Sequence, residues 1–385
     1  MIEFITPQLR NYRLELFEKL NMQYSIKFIF TAVNKETKEF GGMGIPKSWK
    51  YEINNILYPI KSKQSLIEWL RLTRELLRDN YELILSSPAE SPHNLLALII
   101  AKLRFKKIIF WGEGWYWQSN SIIHKLYHYV LIKWMLRQGD AIIAMGAKQY
   151  DFYVKTLKKK TGIFYAPKYV VPYKKTDAAQ LIESLALDDR KILGKKIILY
   201  MSQITERKGL DYLIRAFRLL EGKFDNIYLL IVGSGSFEAY CKKLAKELGV
   251  TNIMFKGYIS DSDIELYHNV CDVLVLPSIF LDDYPEPNGY VLYESMSVGK
   301  PLVVTNAVGA VPELVRDGVN GFVVKDRNTI ELADALSKLL SDERLRQTMG
   351  NKSKVIFDEK ISLDGQVEAF KTAIDFVRRQ KNRLN

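Results

Sequence analysis

Two acids stand eight positions apart in YPEPNGYVLYESMSVGK (284–300), Glu286 ahead of a Pro-Asn-Gly break and Glu294 behind it. Pro285 and Pro287 keep the chain around Glu286 extended, because a residue preceding proline avoids the helical region. Asn288 is a good N-cap, so YVLYESMSV is expected to run as a helix that stops at Gly299. Glu286 then lies just before a helix N-terminus with unpaired backbone N–H groups at Asn288, Gly289 and Tyr290. Glu294 follows roughly 9 Å further along, at ~1.5 Å per residue. Such N–H groups attract phosphate, whereas a carboxylate at each end repels it. The pattern suits a ligand with hydroxyls at both ends and an anionic middle, as in a nucleotide-sugar. Glu286 would accept from sugar hydroxyls and Glu294 from ribose hydroxyls, with the diphosphate between them and Gly289 allowing close approach. Spacing alone fits equally well a solvated loop acid at 286 and a half-buried acid at 294 paired with a lysine.

Arg207 and Lys208, in TERKGL, fall where a strand pattern ends and Gly209 opens a helical one. A guanidinium fork beside an ammonium suits a diphosphate. Preorganised cations there stabilise the charge that builds as a sugar–phosphate bond breaks. The alternative is a solvated helix start. Gly233-Ser234-Gly235 also sits between a strand and a helix. Lacking the third glycine of a dinucleotide fingerprint, it reads first as a tight turn, with backbone contact to nucleotide as the functional extension. Asp261-Ser262-Asp263 has a metal-binding spacing but opens a helix, so capping is the simpler account, and Asp282-Asp283 reads as a solvated loop. His93, His124, His128 and His268 show no zinc-ligand spacing with cysteine partners. No metal is expected, and no cofactor beyond the donor itself.

Elements must position these residues. Residues 2–6, 25–32, 81–87, 106–113 and 140–146 read as strands, with helical patterns at 12–20, 65–79 and 124–138. The rhythm repeats in strands at 196–204, 227–235, 252–259, 272–278 and 301–305, with helices after Lys208, Phe237, Asp261, Asn288 and Thr329. Uncharged strands rich in Val, Ile and Leu belong to parallel sheets buried on both faces. Their alternation with helices implies right-handed crossovers. The expected class is α/β, with two doubly wound, Rossmann-like domains facing across a cleft. The seam is placed within YVVPYKKTDAAQ (169–180), giving domains 1–175 and 176–360 and a C-terminal helix, 361–385, able to cross back to the first.

A chain of 385 residues exceeds one ordinary core, and 48% hydrophobic with 26% charged residues excludes a disordered or fibrous chain. Cys241 and Cys271 make no disulfide framework. The N-terminus lacks a secretory pattern, and no run reaches the ~18 apolar residues of a membrane span. A cytoplasmic protein is expected. The net charge of +12 is lopsided: residues 1–175 hold 28 Lys+Arg against 14 Asp+Glu, and residues 176–385 hold 28 against 30. An anionic partner for the first half follows. Its lysine runs, KLRFKK (102–107) and VKTLKKK (154–160), come with Trp115, Tyr116, Trp117, Tyr127, Tyr129 and Trp134 interleaved. That mixture suits an anionic membrane surface, although HKLYHYVLIKWMLR could equally be a crossover helix covering the sheet. No nucleic-acid module is recognisable, so nucleic acid is not an expected partner.

The segment PSIFLDDYPEPNGYVLYESMSVGKPLVVTNAVGAVPELVRDGVNGFVV (277–324) resembles the signature of the retaining GT-B glycosyltransferases of group 1, glycosyltransferase family 4. The likeness extends to LYMSQITERKGLDYLIRAF (199–217), LLIVGSG (229–235) and FKGYIS (255–260), and so covers the second half of the chain. The first half matches only in rhythm and weakly in DAIIAMG. Two positions depart from the pattern: Asn288 replaces an aromatic residue, and Ala310 replaces the second glycine of a Gly-Gly pair. The resemblance implies a GT-B fold and transfer from a nucleotide-diphosphate sugar to a hydroxyl acceptor with retention of configuration, in polysaccharide, lipopolysaccharide or glycolipid assembly. It implies catalytic roles for Arg207, Lys208 and Glu286. Donor contacts are implied at Glu294, Asn288, Gly289, Tyr290 and Gly233, with Tyr258 and Ile259 lying along the base. No second carboxylate can be placed as a covalent nucleophile, so same-face displacement through a short-lived oxocarbenium-like ion is the expected route.

Several relatives carry a His at the end of a first-domain strand, near the attacking hydroxyl. Here KKIIFWGEGWYW (106–117) puts Glu113 at such a place, between two glycines. Glu113 is expected to position or deprotonate the acceptor hydroxyl, with a turn-capping carboxylate as an equal alternative. The expected acceptor is a sugar or a lipid-linked sugar met at the cytoplasmic leaflet by a peripheral protein. Two other functions stay open: a GT-B epimerase that needs no acceptor, and a non-catalytic nucleotide-sugar binder. Intact Glu286, Glu294, Arg207 and Lys208 argue against the binder. The choice of base, sugar and acceptor lies in loops such as EFGGMGIPKSW (39–49).

Overall fold

The structure is a computed structural model describing residues 1–6, 11–31, 46, 48–53, 63–87, 91, 93–114, 121–158, 162–176, 192, 194–281 and 286–381. Most of loop 39–49, the run Trp115 to Trp117, and Asp282, Asp283 and Pro285 lie outside the described residues. The chain forms two compact units, Met1–Tyr169 with Ser362–Asn385, and Val170–Ile361.

Unit 1 is built on β1 (Ile2–Thr6), β2 (Ile26–Phe30), β3 (Lys50–Ile53), β4 (Leu83–Ser86), β5 (Lys107–Gly112), β6 (Ala141–Ala144) and β7 (Ile163–Tyr165). They pair in the order β3-β2-β1-β4-β5-β6-β7, every pair parallel. The interior strands read clearly from sequence because both their faces are buried. The edge strands β3 (KYEI) and β7 (IFY) do not, since an edge strand keeps polar or half-exposed positions. Crossovers are made by α1 (Asn11–Gln23), α2 (Lys63–Arg78), α3 (His93–Leu103), α4 (Ile122–Leu126), α5 (Lys133–Gln138) and α6 (Ala147–Leu157). A π-helical stretch, Tyr127–Ile132, joins α4 to α5. The 124–138 pattern thus forms the crossover that covers the sheet. Ile132, Met135 and Leu136 are buried under the sheet, while Ile122, Ile123, Leu126, Val130 and Trp134 stay exposed.

The C-terminal helix (Leu363–Lys381) packs within unit 1. Val367, Phe370, Ile374 and Val377 recur at helical spacing and are buried in its core. The Phe370 ring meets Trp111 edge-on at 5.3 Å.

Unit 2 carries β8 (Lys196–Met201), β9 (Ile227–Val232), β10 (Ile253–Gly257), β11 (Val273–Leu276), β12 (Leu302–Thr305) and β13 (Gly321–Val324), in the parallel order β10-β9-β8-β11-β12-β13. Its helices are α7 (Leu210–Glu221), α8 (Glu238–Glu247), α9 (Ile264–Val270), α10 (Tyr290–Ser297), α11 (Val311–Leu314), α12 (Thr329–Ser341) and α13 (Glu343–Lys360). Side chains alternate between two cores: Ile198 and Tyr200 pack under one face of the sheet, Ile197 and Leu199 under the other. Both units are Rossmann-like α/β domains. In unit 2 the strand order reverses between β8 and β11, and ligands of such sheets bind in the crevice beyond the carboxyl ends of the strands at that point.

Candidate functional site

Residues following β8 and β11 meet at this crevice. A 3-10 turn, Glu206–Lys208, leads from β8 into α7 and carries both cations. Arg207 NH1 and Lys208 Nζ each lie 2.5 Å from Glu286 Oε2. The Glu286 side chain is 7% exposed, that of Lys208 11% and that of Arg207 20%, so all three charges share one largely desolvated spot. Burial alone would raise the Glu286 carboxyl, but Lys208 and Arg207 outweigh it and hold the group below its usual range. Burial pulls the Lys208 ammonium down, against the pull of Glu286. Both cations thus share one carboxylate oxygen.

Backbone geometry fixes the turn that presents these cations. Gly209 has φ 64°, and a Cβ there would run into the Pro277 carbonyl. The Arg207 carbonyl accepts from Ile279 N–H at 2.8 Å, which ties the cationic turn to the loop after β11. That loop is fixed from its other side: Gly309 N–H donates to the Glu286 carbonyl at 2.8 Å. Ala310, which departs from the family pattern, adopts φ −78° in the right-handed region. It needs no glycine, so the substitution carries no backbone strain.

The helix start differs from expectation. Gly289, with φ 74°, occupies the N-cap of α10, and Asn288 is a buried residue one position before it. Gly289 was predicted to offer its N–H to a ligand, but it donates to Glu286 Oε1 at 3.2 Å. Glu286 thus braces the loop as well as the cations, a role that motif spacing could not reveal. Tyr290 opens α10.

Glu294 lies one turn along α10 with 18% of its side chain exposed, and its partner is His268 rather than a lysine. His268 Nε2 lies 3.2 Å from Glu294 Oε2, and Nδ1 lies 2.7 Å from Ser295 Oγ. Sequence reasoning set His268 aside as a failed metal ligand. The contact joins α9 to α10 across 26 residues, and no local pattern announces it.

Gly233, at the end of β9 with φ 128°, lies against the backbone of Ser202, and Gly235 lies against that of Ile204. These glycines let the loop after β9 close on the loop that leads to Arg207, which accounts for both by packing alone. Tyr258 is exposed and Ile259 is partly buried against the core beside β10. Asp263 stands at the N-cap of α9 without a side-chain capping bond. Its carboxylate instead accepts from Ser260 and Ser262 at 2.9 and 3.3 Å, which corrects the capping account. Among the described residues, no group of three His, Cys, Asp or Glu could hold a metal ion.

In unit 1, Glu113 follows β5, and its Oε1 accepts from Lys168 Nζ at 2.9 Å and from Arg13 NH2 at 3.4 Å. Burial would raise this carboxyl, but Lys168 and Arg13 prevail and lower it. The carboxylate holds two cations, where sequence reasoning allowed a base or a turn cap.

Residues 183–355 match the family described as glycosyl transferases group 1. The chain is 34% identical to an uncharacterized glycosyltransferase of Methanocaldococcus jannaschii over 191 residues, 48% of this chain and 47% of that protein. It is 32% identical to the alpha-D-kanosaminyltransferase of Streptomyces kanamyceticus over 186 residues, 48% of this chain and 45% of that protein. The chain thus spans about half the length of these two curated relatives. An uncharacterized glycosyltransferase of Haemophilus influenzae is 26% identical over 80% of both chains. Among solved structures, Anabaena Alr3699/HepE in complex with UDP-glucose superposes with a TM-score of 0.74 at 17% identity, covering 97% of this chain and 99% of that one. A glycosyltransferase from Rickettsia africae gives 0.71 at 17% identity, covering 98% of each. At these identities the likeness concerns the fold, which is GT-B in class.

Proposed function

We propose that this protein is a group 1 glycosyltransferase that moves a hexosyl or related sugar from a nucleotide-diphosphate sugar to a hydroxyl acceptor with retention of configuration. The observation that carries the reading is the convergence of Arg207 and Lys208 on Glu286 at the switch crevice of unit 2. A guanidinium beside an ammonium suits a diphosphate. In transfer, the bond between the anomeric carbon and the diphosphate oxygen breaks and its electron pair leaves with the diphosphate. The acceptor oxygen bonds to the same face of that carbon and gives its proton to a departing phosphate oxygen. Arg207 and Lys208 stabilise the charge that grows on the leaving group. Glu286 keeps them in place, and a carboxylate has about four acceptor positions, so a sugar hydroxyl can share it. Gly233, Asn288, Gly289, Tyr290, Tyr258 and Ile259 would line the donor, and Glu294 would take the ribose hydroxyls.

Relatives supply candidate donors: the HepE structure holds UDP-glucose, and a Mycobacterium tuberculosis relative is a GDP-mannose-dependent mannosyltransferase. Unit 1 would receive the acceptor, in polysaccharide, lipopolysaccharide or glycolipid assembly. There Glu113 is better suited to orienting a hydroxyl than to deprotonating it, because a carboxylate held down by two cations is a weak base.

Thermal-shift titration with UDP, GDP and their sugar conjugates tests the reading. One series should stabilise the protein by ~2.7 kcal/mol at a hundredfold excess over Kd. With the matching donor, Arg207→Ala and Lys208→Met should each lower transfer by about 10²–10³, and product should form only with acceptor present. Absence of any nucleotide effect would overturn the assignment, and acceptor-independent sugar conversion would favour an epimerase.

A further inference from the structure

We infer that His268 is a positioning residue whose buried imidazole, together with Tyr173, aims the Glu294 carboxylate at the ribose hydroxyls of the donor. The inference rests on the proposed ribose role of Glu294 and adds the device that makes the role specific. A glutamate on a helix has three rotatable bonds, and ordering it costs conformational entropy. His268 supplies that order. It is 0% exposed, so its position is set by core packing. An ionised carboxylate has no proton to give, so His268 Nε2 must donate to Glu294 Oε2 across their 3.2 Å contact. In the neutral ring Nδ1 then accepts from the Ser295 hydroxyl at 2.7 Å. Ser295 follows Glu294 directly in α10, so one imidazole reads two consecutive residues of that helix.

A strap at 170–176 closes the other side. The Tyr173 ring stacks on His268 at 5.8 Å and 29°. Burial, and then the nearby Glu294 charge, raise its phenol. The strap is pinned along its length. Tyr173 N–H donates to Ser297 Oγ at 3.1 Å, Ser297 Oγ donates to the Glu294 carbonyl at 2.7 Å, and Thr176 N–H donates to Asn269 Oδ1 at 2.9 Å. His268 thus fixes the carboxylate, the strap backs its ring, and acceptor positions remain for a diol.

The test compares nucleotides that differ only at the ribose. Calorimetric Kd values are measured for UDP and GDP and for their 2′-deoxy and 3′-deoxy forms, using whichever base binds. The native protein should prefer the ribonucleotide by about tenfold or more, the range of a hydrogen bond to a charged group. His268→Leu should collapse that preference toward one while leaving deoxynucleotide affinity within about twofold. His268→Gln, whose amide still donates, should keep most of it, as should Tyr173→Phe, which keeps the stacked ring. Equal weakening of both nucleotide types in the His268 variants, or an intact preference in His268→Leu, would overturn the inference. If Glu294→Ala itself leaves the preference intact, the ribose role of Glu294 fails, a result distinct from failure of His268 alone.

Discussion

A carboxylate set between two cations is a different reagent from one standing alone in a glycine turn. Glu113 illustrates the difference, since it lies 2.9 Å from the ammonium of Lys168, a side chain only 2% exposed. Glu113→Gln should cost about 2–3 kcal/mol, below the full penalty for breaking a buried pair because the glutamate side chain is 27% exposed. The pH dependence follows from the lowered carboxyl. Its stabilisation is fully present above the unfolded value of 4.5 and is lost as pH falls through the depressed folded value. Chemical denaturation at pH 7 and pH 3 should therefore show a wild-type advantage over Glu113→Gln that shrinks in acid. An equal advantage at both pH values would contradict the ion-pair account. At this scale, motif and spacing singled out Arg207, Lys208 and Glu286, which the structure brings together, and Glu294, which it pairs with His268. They could not locate Arg13, Lys168 or His268, which lie 100, 55 and 26 residues from the acids they meet. Contacts of that separation exist only once the sheet order brings strand ends together.

Elements place those residues through close backbone approach. Gly209 and Gly249 both have positive φ, but only Gly209 faces an obstacle, the Pro277 carbonyl, whereas nothing lies within 4 Å of a Cβ at Gly249. Gly249→Ala should cost about 1 kcal/mol of local strain. Gly209→Ala should cost well over 2 kcal/mol, since strain is joined by a backbone clash, and it should weaken nucleotide binding by moving the turn that bears Arg207 and Lys208. Urea unfolding of the two variants provides the comparison, and equal losses would refute it. The same reasoning explains which elements were legible. Interior strands were visible as apolar runs. Helix α13 was not singled out because Gly350 interrupts ERLRQTMGNKSKVIF, yet that glycine is what lets the helix approach the Gly299 carbonyl.

Charge belongs to the whole chain, and its excess falls within residues 1–175. There the exposed apolar residues Ile122, Ile123, Leu126, Val130 and Trp134 lie among Lys125, Lys133 and Arg137. Among the described residues no helix is long and apolar enough to cross a membrane. A peripheral mode is the corresponding proposal, with each basic residue near an anionic surface adding about 1 kcal/mol. Co-sedimentation with vesicles should rise with anionic lipid content and fall with salt, and Ile123→Glu with Val130→Glu should reduce it. Binding indifferent to lipid charge would count against this surface. The two-domain class was legible from strand–helix alternation, whereas the helix pairing within unit 1 required the fold.

The chain leaves unit 1 at Tyr169 and returns to it at Ser362. Because translation proceeds from the N-terminus, Val170–Ile361 emerges from the ribosome in full while the earlier domain still waits for Phe370 and Ile374. What is made first is sealed last. For that interval Trp111 lacks the Phe370 ring that meets it edge-on in the finished domain.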